Sequence, residues 1–407
     1  MIGRATTALG ITQIVGWGTT YYCTAVLFSV MAADTGWGLT LAYAAFSWAM
    51  LVSGLVSRWM GALVESIGER RVMTAGSLGI AAGLLAVATA HHPVQLFVAW
   101  TLLGVAMRAA LYETAFSALA RMAGAGARRA ISILTLYGGL ASTLFWPLGH
   151  WMAAQWGWRG AFLAYAVCNL LICVPLHHFF LPRPGDERAA ATAPGSGDAQ
   201  AQALARGSLP PAERDRALLI LSALLAAHSF VFSSLAAHVL TVLQALGLAA
   251  AAAVTMASMK GVAQVAARFV ELSLQRYLGA MTVGMISTGL LPVGLLLLDI
   301  AAPNVLLVSV GCLVYGASNG LITIVRGAVT LQLFGHAGYG ATLGRIAAPG
   351  LIAGALAPMS YAAAIEHLGH HWALAMLTVI SCLGFAGMWR LTWIQNRSAR
   401  NTPTSDR

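Results

Sequence analysis

Between two long apolar runs the chain reads Gly61-Ala62-Leu63-Val64-Glu65-Ser66-Ile67-Gly68-Glu69-Arg70-Arg71. A tight turn between two membrane helices needs glycine where a helix ends or where backbones approach closely, which predicts structural roles for Gly61 and Gly68. The Glu65 carboxylate is expected to accept hydrogen bonds from N–H groups at the start of a neighbouring helix, where negative charge is favourable. Arg70 and Arg71 are expected to remain on the cytoplasmic side of the membrane.

The spacing Gly-x-x-x-acid-x-x-Gly-x-Arg-Arg resembles the loop between the second and third helices of the major facilitator superfamily. Two positions depart from that pattern, since Glu65 replaces the usual Asp and Glu69 stands where Arg is common. The resemblance implies two six-helix bundles around a central site, with alternating access driven by an ion or substrate gradient. It also implies a cytoplasmic gate, separate from the substrate site, formed by Gly61, Glu65, Gly68, Arg70 and Arg71. An ordinary basic turn between two helices is the alternative interpretation.

Composition independently indicates an integral membrane protein. The 407 residues are 59% hydrophobic and 9% charged, whereas about a quarter of the residues of a soluble domain are charged. The net charge of +10 is compatible with nucleic-acid binding, but the basic residues recur in short loops instead of forming an aromatic-interleaved patch. That distribution is a signal of membrane topology, and no nucleic-acid partner is predicted.

Apolar runs of about 20 residues predict twelve transmembrane helices. Their approximate limits are 8–32, 39–63, 72–90, 94–118, 130–154, 160–181, 217–246, 249–274, 278–299, 303–331, 341–366 and 371–394. The predicted fold is therefore all-α and integral to the membrane, with two pseudo-symmetric six-helix bundles. The predicted parts are an N-terminal bundle (1–181), a hydrophilic cytoplasmic linker (182–216), a C-terminal bundle (217–395) and a cytoplasmic tail (396–407).

The two halves resemble each other, and the loops indicate an orientation. Gly104 and Gly316 occupy matching places in the fourth and tenth spans, and the segment 155–161 aligns with 367–373. If the N-terminus is inside, Arg159 is the one arginine in the outer loops, so both termini are predicted to be cytoplasmic. We expect a multi-pass protein, monomeric, of a bacterial cytoplasmic (inner) membrane.

Charged side chains within the spans are the candidates for function, because each costs about 2.5–3.5 kcal/mol to insert at the membrane centre. Polar and aromatic residues recur at helical spacing in the first, fourth and tenth spans, and we expect spans one, four, seven, eight and ten to line a wet central cavity. The expected substrate-binding residues are Arg108, Arg326, Lys260, Asn319, Tyr21, Tyr22, Tyr112 and Gln13. Arginine suits a carboxylate ligand because its planar fork binds both oxygens.

Each of these assignments has a structural alternative. Arg108 could pair with Glu113, although a five-residue separation disfavours direct pairing within one continuous helix. Lys260 could be tied to backbone carbonyls. His228 and Glu113 are the predicted proton-coupling residues, but a hydrogen-bonded structural histidine is the commoner role for His228.

Enzymatic and metal chemistry are not predicted. The five cysteines all fall in apolar runs and none has C-x-x-C spacing, so neither a disulfide framework nor a metal site is indicated. The segment 316–320 formally matches the G-x-S-x-G motif of serine hydrolases, but it lies inside an apolar span where no strand-to-helix turn is expected. H-E-x-x-H and P-loop motifs are missing from the sequence, so we expect neither a cofactor nor a metal.

The sequence therefore predicts a secondary transporter of a small solute. A cation in the eighth span, Lys260, with arginines in other spans, resembles the bacterial monocarboxylate and oxalate carriers, which implies a small organic anion moved together with protons. A proton-driven exporter of drugs or toxic compounds is the alternative, although the exporters' Gly-Pro-x-x-Gly-Gly run is incomplete at 146–150. A third possibility is a non-transporting membrane receptor, which would not need the charges within the spans.

Overall fold

The computed structural model describes residues 2–182, 207–300 and 304–401. These residues are helical apart from short turns, and no strand occurs among them. Most of the predicted linker, residues 183–206, and the last six residues lie outside the described part. Contacts between residues divide the chain into two compact units: Met1–Ala201 with Gly338–Ala348 (unit 1), and Gln202–Ala337 with Pro349–Arg407 (unit 2).

The helices of unit 1 follow the predicted spans closely. In order they are α1 (Ile2–Trp17), a π-helical turn (Gly18–Tyr22), α2 (Thr24–Thr35), α3 (Leu39–Ile67), α4 (Glu69–Ala88), α5 (Pro93–Ala110), α6 (Tyr112–Ala123), a 3₁₀ turn (Gly124–Gly126), α7 (Ala127–Gly139), α8 (Ala141–Cys168), a second π-helical turn (Asn169–Cys173) and α9 (Val174–Phe180). Unit 2 contains α10 (Pro211–Ala245), α11 (Ala250–Leu274), α12 (Ala280–Ile300) and α13 (Val305–Phe334). The last helix, α14 (Tyr339–Asn401), begins in unit 1 and continues in unit 2.

These elements form the twelve membrane-spanning segments that the sequence predicts. Two uninterrupted helical assignments, α8 and α14, each contain a turn at a glycine with positive φ, Gly157 (67°) and Gly369 (81°). Each turn separates two spans, and only glycine adopts this left-handed conformation without steric cost. The two glycines occupy equivalent positions in the segments 155–161 and 367–373, so the internal repeat is present in the backbone as well as in the sequence.

The first span is widened by its π-helical turn. Thr19 and Thr20 donate their hydroxyls to the carbonyls of Val15 (2.8 Å) and Gly16 (2.6 Å). Such bonds satisfy backbone carbonyls where the regular helical ladder is disturbed, and π-turns inside α-helices occur frequently at functional sites.

The fourth span is broken. Leu111 has φ −92° and ψ −161°, an extended conformation that ends α5 and starts α6. Inside a membrane the freed backbone groups need new partners. Gln13 Nε2 donates to the Ala110 carbonyl (3.0 Å), and Thr114 Oγ1 donates to the Arg108 carbonyl (3.2 Å).

In unit 2, α13 packs closely on α11 because of two glycines one turn apart. A Cβ on Gly316 would lie 2.9 Å from the Lys260 Cα, and one on Gly320 would lie 3.0 Å from the Gln264 Cα. Small residues at this spacing are typical of tight helix packing in membranes. The segment 316–320 therefore lies within a helix as a packing surface, which agrees with the rejection of a serine-hydrolase elbow.

Candidate functional site

The loop motif of unit 1 forms the hydrogen bond that the sequence predicts. Glu65 Oε1 accepts a hydrogen bond from the Ala341 backbone N–H at 2.9 Å. Ala341 is the third residue of α14, so this N–H is one of the four at the helix start that have no partner within the helix. The positive end of the helix dipole also favours the carboxylate at this place.

The two glycines of the motif have the predicted structural roles. Gly68 has a φ of 85° and separates α3 from α4, a conformation that only glycine adopts readily. A Cβ on Gly61 would lie 2.8 Å from the Ala341 Cα, so the absence of a side chain permits the approach of the two backbones. Of the two arginines, Arg71 is exposed and Arg70 is partly exposed.

Glu69, one of the two residues that depart from the family pattern, has a role that sequence reasoning missed. Its side chain is buried (5% exposed), and Oε1 accepts hydrogen bonds from Ser117 Oγ (2.9 Å) and from Arg121 Nη2 (2.7 Å). The carboxylate joins the start of α4 to α6, and it also lies in the first turn of α4, where negative charge is favourable. An acid in that first turn was the only signal available in the sequence.

Arg108 and Glu113 form a buried ion pair, contrary to the sequence-based expectation. Arg108 Nη1 lies 2.5 Å from Glu113 Oε2, and the side chains are 3% and 10% exposed. The five-residue spacing argument was wrong because it assumed a continuous helix, whereas the break at Leu111 changes the direction of the chain between them. Tyr339, buried at the start of α14, also interacts electrostatically with Glu113.

A narrow cavity reaches this ion pair. Its lining residues are Met60, Gly61, Val64, Arg108, Glu113, Thr114, Ser117 and Gly340. The cavity therefore extends from the ion pair to the backbone contact between the loop motif and the start of α14. All of these residues belong to unit 1.

Gln13 and the predicted aromatic residues form a second part of the site. Gln13 is fully buried, and its Oε1 accepts from Trp17 Nε1 (3.2 Å) while its Nε2 caps the broken helix. The Trp17 ring contacts the rings of Tyr21 (5.5 Å) and Tyr112 (5.0 Å). The amide nitrogen and the amide oxygen of Gln13 thus each have a structural partner.

Tyr21 and Tyr22 are half-buried within the π-helical turn of the first span. The Tyr21 ring packs edge-on against Phe46 (5.2 Å), and the Tyr22 ring against Trp146 (6.2 Å). Edge-to-face pairs of this kind hold ring orientations. The structure therefore brings Gln13, Tyr21 and Tyr112 into one cluster around Trp17, with Tyr22 at its edge.

Two buried polar residues of the sixth span, Asn169 and His177, were missed by sequence reasoning. Asn169 Nδ2 donates to Thr19 Oγ1 (2.9 Å), which links the second π-helical turn to the first. The His177 ring nitrogens are hydrogen-bonded to Ser77 Oγ (2.8 Å) and Thr12 Oγ1 (2.9 Å), so this histidine joins three spans. His177 lies near the end of a span, and the sequence contains no periodic pattern that would distinguish a buried histidine there from a solvated one.

Unit 2 places the remaining predicted residues in two groups. His228 on α10 is 6% exposed and lies beside Asn319 and Arg326 of α13. Arg268 of α11 is buried, and it donates to the Gly320 carbonyl (3.1 Å) and to Thr323 Oγ1 (3.3 Å). Three helices of unit 2 therefore each supply a buried or partly buried polar residue.

Lys260 forms the second group with two aromatic rings. Its Nζ lies 5.7 Å from the ring centres of both Phe232 and Tyr315. The side chain is half-buried, and within the described part of the chain its ammonium has neither a carboxylate within 4.0 Å nor a hydrogen bond to a backbone carbonyl. The alternative in which backbone carbonyls hold the lysine is therefore not observed among these residues.

Among the residues described, no cluster of three or more His, Cys, Asp or Glu side chains could hold a metal ion. Cys23, Cys173 and Cys312 are buried thiols, Cys168 is half-buried and Cys382 is exposed.

Comparisons with known proteins agree with this architecture. The family model of the Major Facilitator Superfamily matches residues 10–344. The crystal structure of the human organic anion transporter MFSD10 (TETRAN) superposes with a TM-score of 0.76 at 17% identity, covering 95% of this chain and 99% of that chain. The proton:xylose symporter XylE, bound to 6-bromo-6-deoxy-D-glucose, superposes with a TM-score of 0.74 at 14% identity, covering 96% and 95% respectively. No curated protein matches the sequence significantly.

At these identities the two structures establish the fold alone, while the family model covers most of the chain. The members of this family are non-enzymatic carriers, and the loop motif, the twelve spans and the repeated halves are those of the family. The chain belongs to the Major Facilitator Superfamily and is a multi-pass membrane transporter.

Proposed function

We propose that the protein carries a small organic anion, coupled to protons, and that Lys260 binds the carboxylate of that anion. The observation that carries the proposal is the position of the Lys260 ammonium, which lies between Phe232 and Tyr315 without an acidic partner among the described residues. A half-buried charge without a counter-ion is costly, and a bound carboxylate would supply the counter-ion.

The other two predicted cations are less suited to be the primary anion ligand. Arg108 is neutralised by Glu113, so a substrate carboxylate would have to compete with a fixed one. Arg326 lies beside His228 and Asn319, which supports a role in completing the substrate site or in proton coupling. We therefore propose Lys260 as the anchor and Arg326 with Asn319 as secondary ligands.

Glu113 and His228 are the proposed proton-coupling residues. Protonation of Glu113 would remove the charge that pairs with Arg108, and the adjoining cavity reaches the start of α14. We propose that this coupling acts on the gate residues Gly61, Glu65, Gly68, Arg70 and Arg71, because Glu65 holds the start of the same helix. We also propose a monomer in a bacterial inner membrane with both termini cytoplasmic, and the distribution of arginines among the loops supports the orientation of the termini.

An exporter of lipophilic cations is the second candidate. The half-buried rings of Tyr21 and Tyr22, with Trp17 and Tyr112 beside them, favour it because aromatic faces attract cations. A lysine without a counter-charge repels such a substrate, and for that reason we prefer the anion. MFSD10, whose fold is similar, is an organic anion transporter, which agrees with this preference.

The test uses proteoliposomes with an imposed pH gradient and a panel of small carboxylates and lipophilic cations. We expect saturable carboxylate uptake that Lys260→Gln abolishes and that Lys260→Arg partly retains, since the charge remains. If both variants transport lipophilic cations and the protein transports no carboxylate of the panel, the proposal is overturned and the exporter is established.

A binding measurement can be made on the same protein, because Lys260 is the only lysine in the chain. A small amine-reactive reagent has only this side chain and the α-amino group to label. A transported carboxylate should slow the labelling of Lys260 and leave that of the α-amino group unchanged. Labelling that is insensitive to every transported carboxylate would remove Lys260 from the site.

A further inference from the structure

Three arginines of unit 2 stack on aromatic rings. The Arg276 guanidinium lies 4.6 Å from the ring centre of Tyr277, while those of Arg390 and Arg397 lie 4.2 Å and 5.4 Å from the ring centre of Trp393. Within the described residues none of the three arginines forms a hydrogen bond or an ion pair. Their aromatic partners are exposed, Tyr277 by 68% and Trp393 by 44%.

These residues lie at the same end of unit 2. A Cβ on Gly284 of α12 would lie 2.9 Å from Met388 Sδ, and a Cβ on Gly289 would lie 3.3 Å from Phe385 Cε2. Residue numbers rise along α12 as they fall along α14, so the two helices run antiparallel. Residue 276 precedes the start of α12 and residues 390–397 lie in the last turns of α14, so the three arginines lie toward the same end of the two helices.

The stacking leaves the hydrogen-bonding edge of each guanidinium available. An aromatic ring contacts the flat face of the group, whereas its N–H donors lie in the plane and match the geometry of a phosphate. No acidic residue occurs in the segments 272–298 and 372–398 that surround the cluster. The two segments that carry the cluster therefore contain arginines and no acidic residue.

Arg159 is an arginine that stacks on an aromatic ring while its N–H groups donate hydrogen bonds within the protein. Its guanidinium stacks on Trp158 at 4.1 Å, but Nη1 donates to the carbonyls of Ala88 (2.9 Å) and Ala90 (2.8 Å). The arginines of the unit 2 cluster have the stacking without these acceptors, which indicates that their partner is outside the described chain.

We propose that Arg276, Arg390 and Arg397, with Tyr277 and Trp393, bind the phosphate headgroup of an anionic phospholipid. Exposed aromatic side chains at the ends of membrane helices lie at the level of the headgroups, and arginines beside them meet lipid phosphates. The helices α12 and α14 would contact the acyl chains below the headgroup through exposed apolar residues such as Leu383. This site does not depend on the identity of the transported solute.

The test is native mass spectrometry of the full-length protein in detergent, titrated with phosphatidylglycerol or phosphatidylcholine. We expect preferential retention of phosphatidylglycerol. The double variant Arg390→Gln/Arg397→Gln should weaken that retention by about fivefold for each arginine lost. The matched control Arg4→Gln/Arg129→Gln removes two exposed arginines of unit 1 that lie over no aromatic ring among the described residues, and it should retain the lipid as the unaltered protein does.

Equal retention of the two lipids, or unchanged retention in the Arg390/Arg397 variant, would overturn the proposal. Displacement of the lipid by an equal concentration of inorganic phosphate would also overturn it, because the site would then recognise a soluble anion. The variant Arg390→Lys/Arg397→Lys keeps the charge but loses the planar guanidinium. Its retention of phosphatidylglycerol should therefore lie between that of the unaltered protein and that of the Arg390→Gln/Arg397→Gln variant. Because no transport is measured, a failure here is separate from a failure of the anion-carrier proposal.

Discussion

Arg108 and Glu113 face each other across a break in the fourth span, with Nη1 and Oε2 2.5 Å apart. The break at Leu111 makes this pairing possible, and Gln13 of the first span satisfies the Ala110 carbonyl beside it. The ion pair therefore depends on two helices and on an interrupted backbone. Discontinuous helices of this kind are where transporters commonly place their charged groups.

Removal of one partner of this pair should cost more than removal of both. We expect Arg108→Gln and Glu113→Gln each to lower the free energy of unfolding by about 3–5 kcal/mol, because each leaves a buried charge uncompensated. The double variant Arg108→Gln/Glu113→Gln should lose clearly less free energy of unfolding than the sum of the losses in the two single variants. Denaturant unfolding in detergent measures the coupling, and strictly additive effects would show that the two charges are not energetically paired.

The Glu65 contact should protect the start of α14 from hydrogen exchange. Glu65→Ala removes the acceptor of the Ala341 N–H, so that amide should exchange about fivefold to thirtyfold faster, as expected for the loss of about 1–2 kcal/mol at a helix N-terminus. Hydrogen–deuterium exchange followed by mass spectrometry resolves this segment. Ser66→Ala is the matched control, since Ser66 bonds only the Leu63 carbonyl of its own helix. An unchanged rate in Glu65→Ala would contradict the assignment.

The bond from Asn169 to Thr19 should keep the first span closed around Cys23, which is 1% exposed. In a background with the two accessible cysteines replaced (Cys168→Ser, Cys382→Ser), Thr19→Val should raise maleimide labelling of Cys23 by about fivefold, consistent with about 1 kcal/mol for one hydrogen bond.

Thr20→Val provides the comparison for that experiment, because the Thr20 hydroxyl bonds only the Gly16 carbonyl within its own helix. It should leave the labelling of Cys23 nearly unchanged. The buried Cys312 of unit 2 serves as an internal reference. Equal effects of the two threonine variants would mean that the π-helical turn, and not the link to Asn169, protects Cys23.

Much of the architecture was predictable, since each feature depends on residues close together in sequence. A span needs about 20 apolar residues, so hydropathy alone located all twelve. Gly68, Gly157 and Gly369 mark turns because a positive φ is a local property of one residue. The acceptor role of Glu65 was predictable as well, because a carboxylate at a helix end needs only a neighbouring helix start.

The partners of the charged residues were decided by tertiary structure. Nothing in the local sequence marks Leu111 as a break, because the capping of Ala110 comes from Gln13, 97 residues away. Once the helix breaks, Arg108 becomes one half of an ion pair with Glu113, whereas Lys260 has no acidic partner among the described residues. The sequence by itself determined the class, the spans and the loop motif at 61–71 through hydropathy and local backbone chemistry. Only the packing of distant helices decided which charges are neutralised, because a charge in a membrane takes whichever partner the folded chain brings within reach.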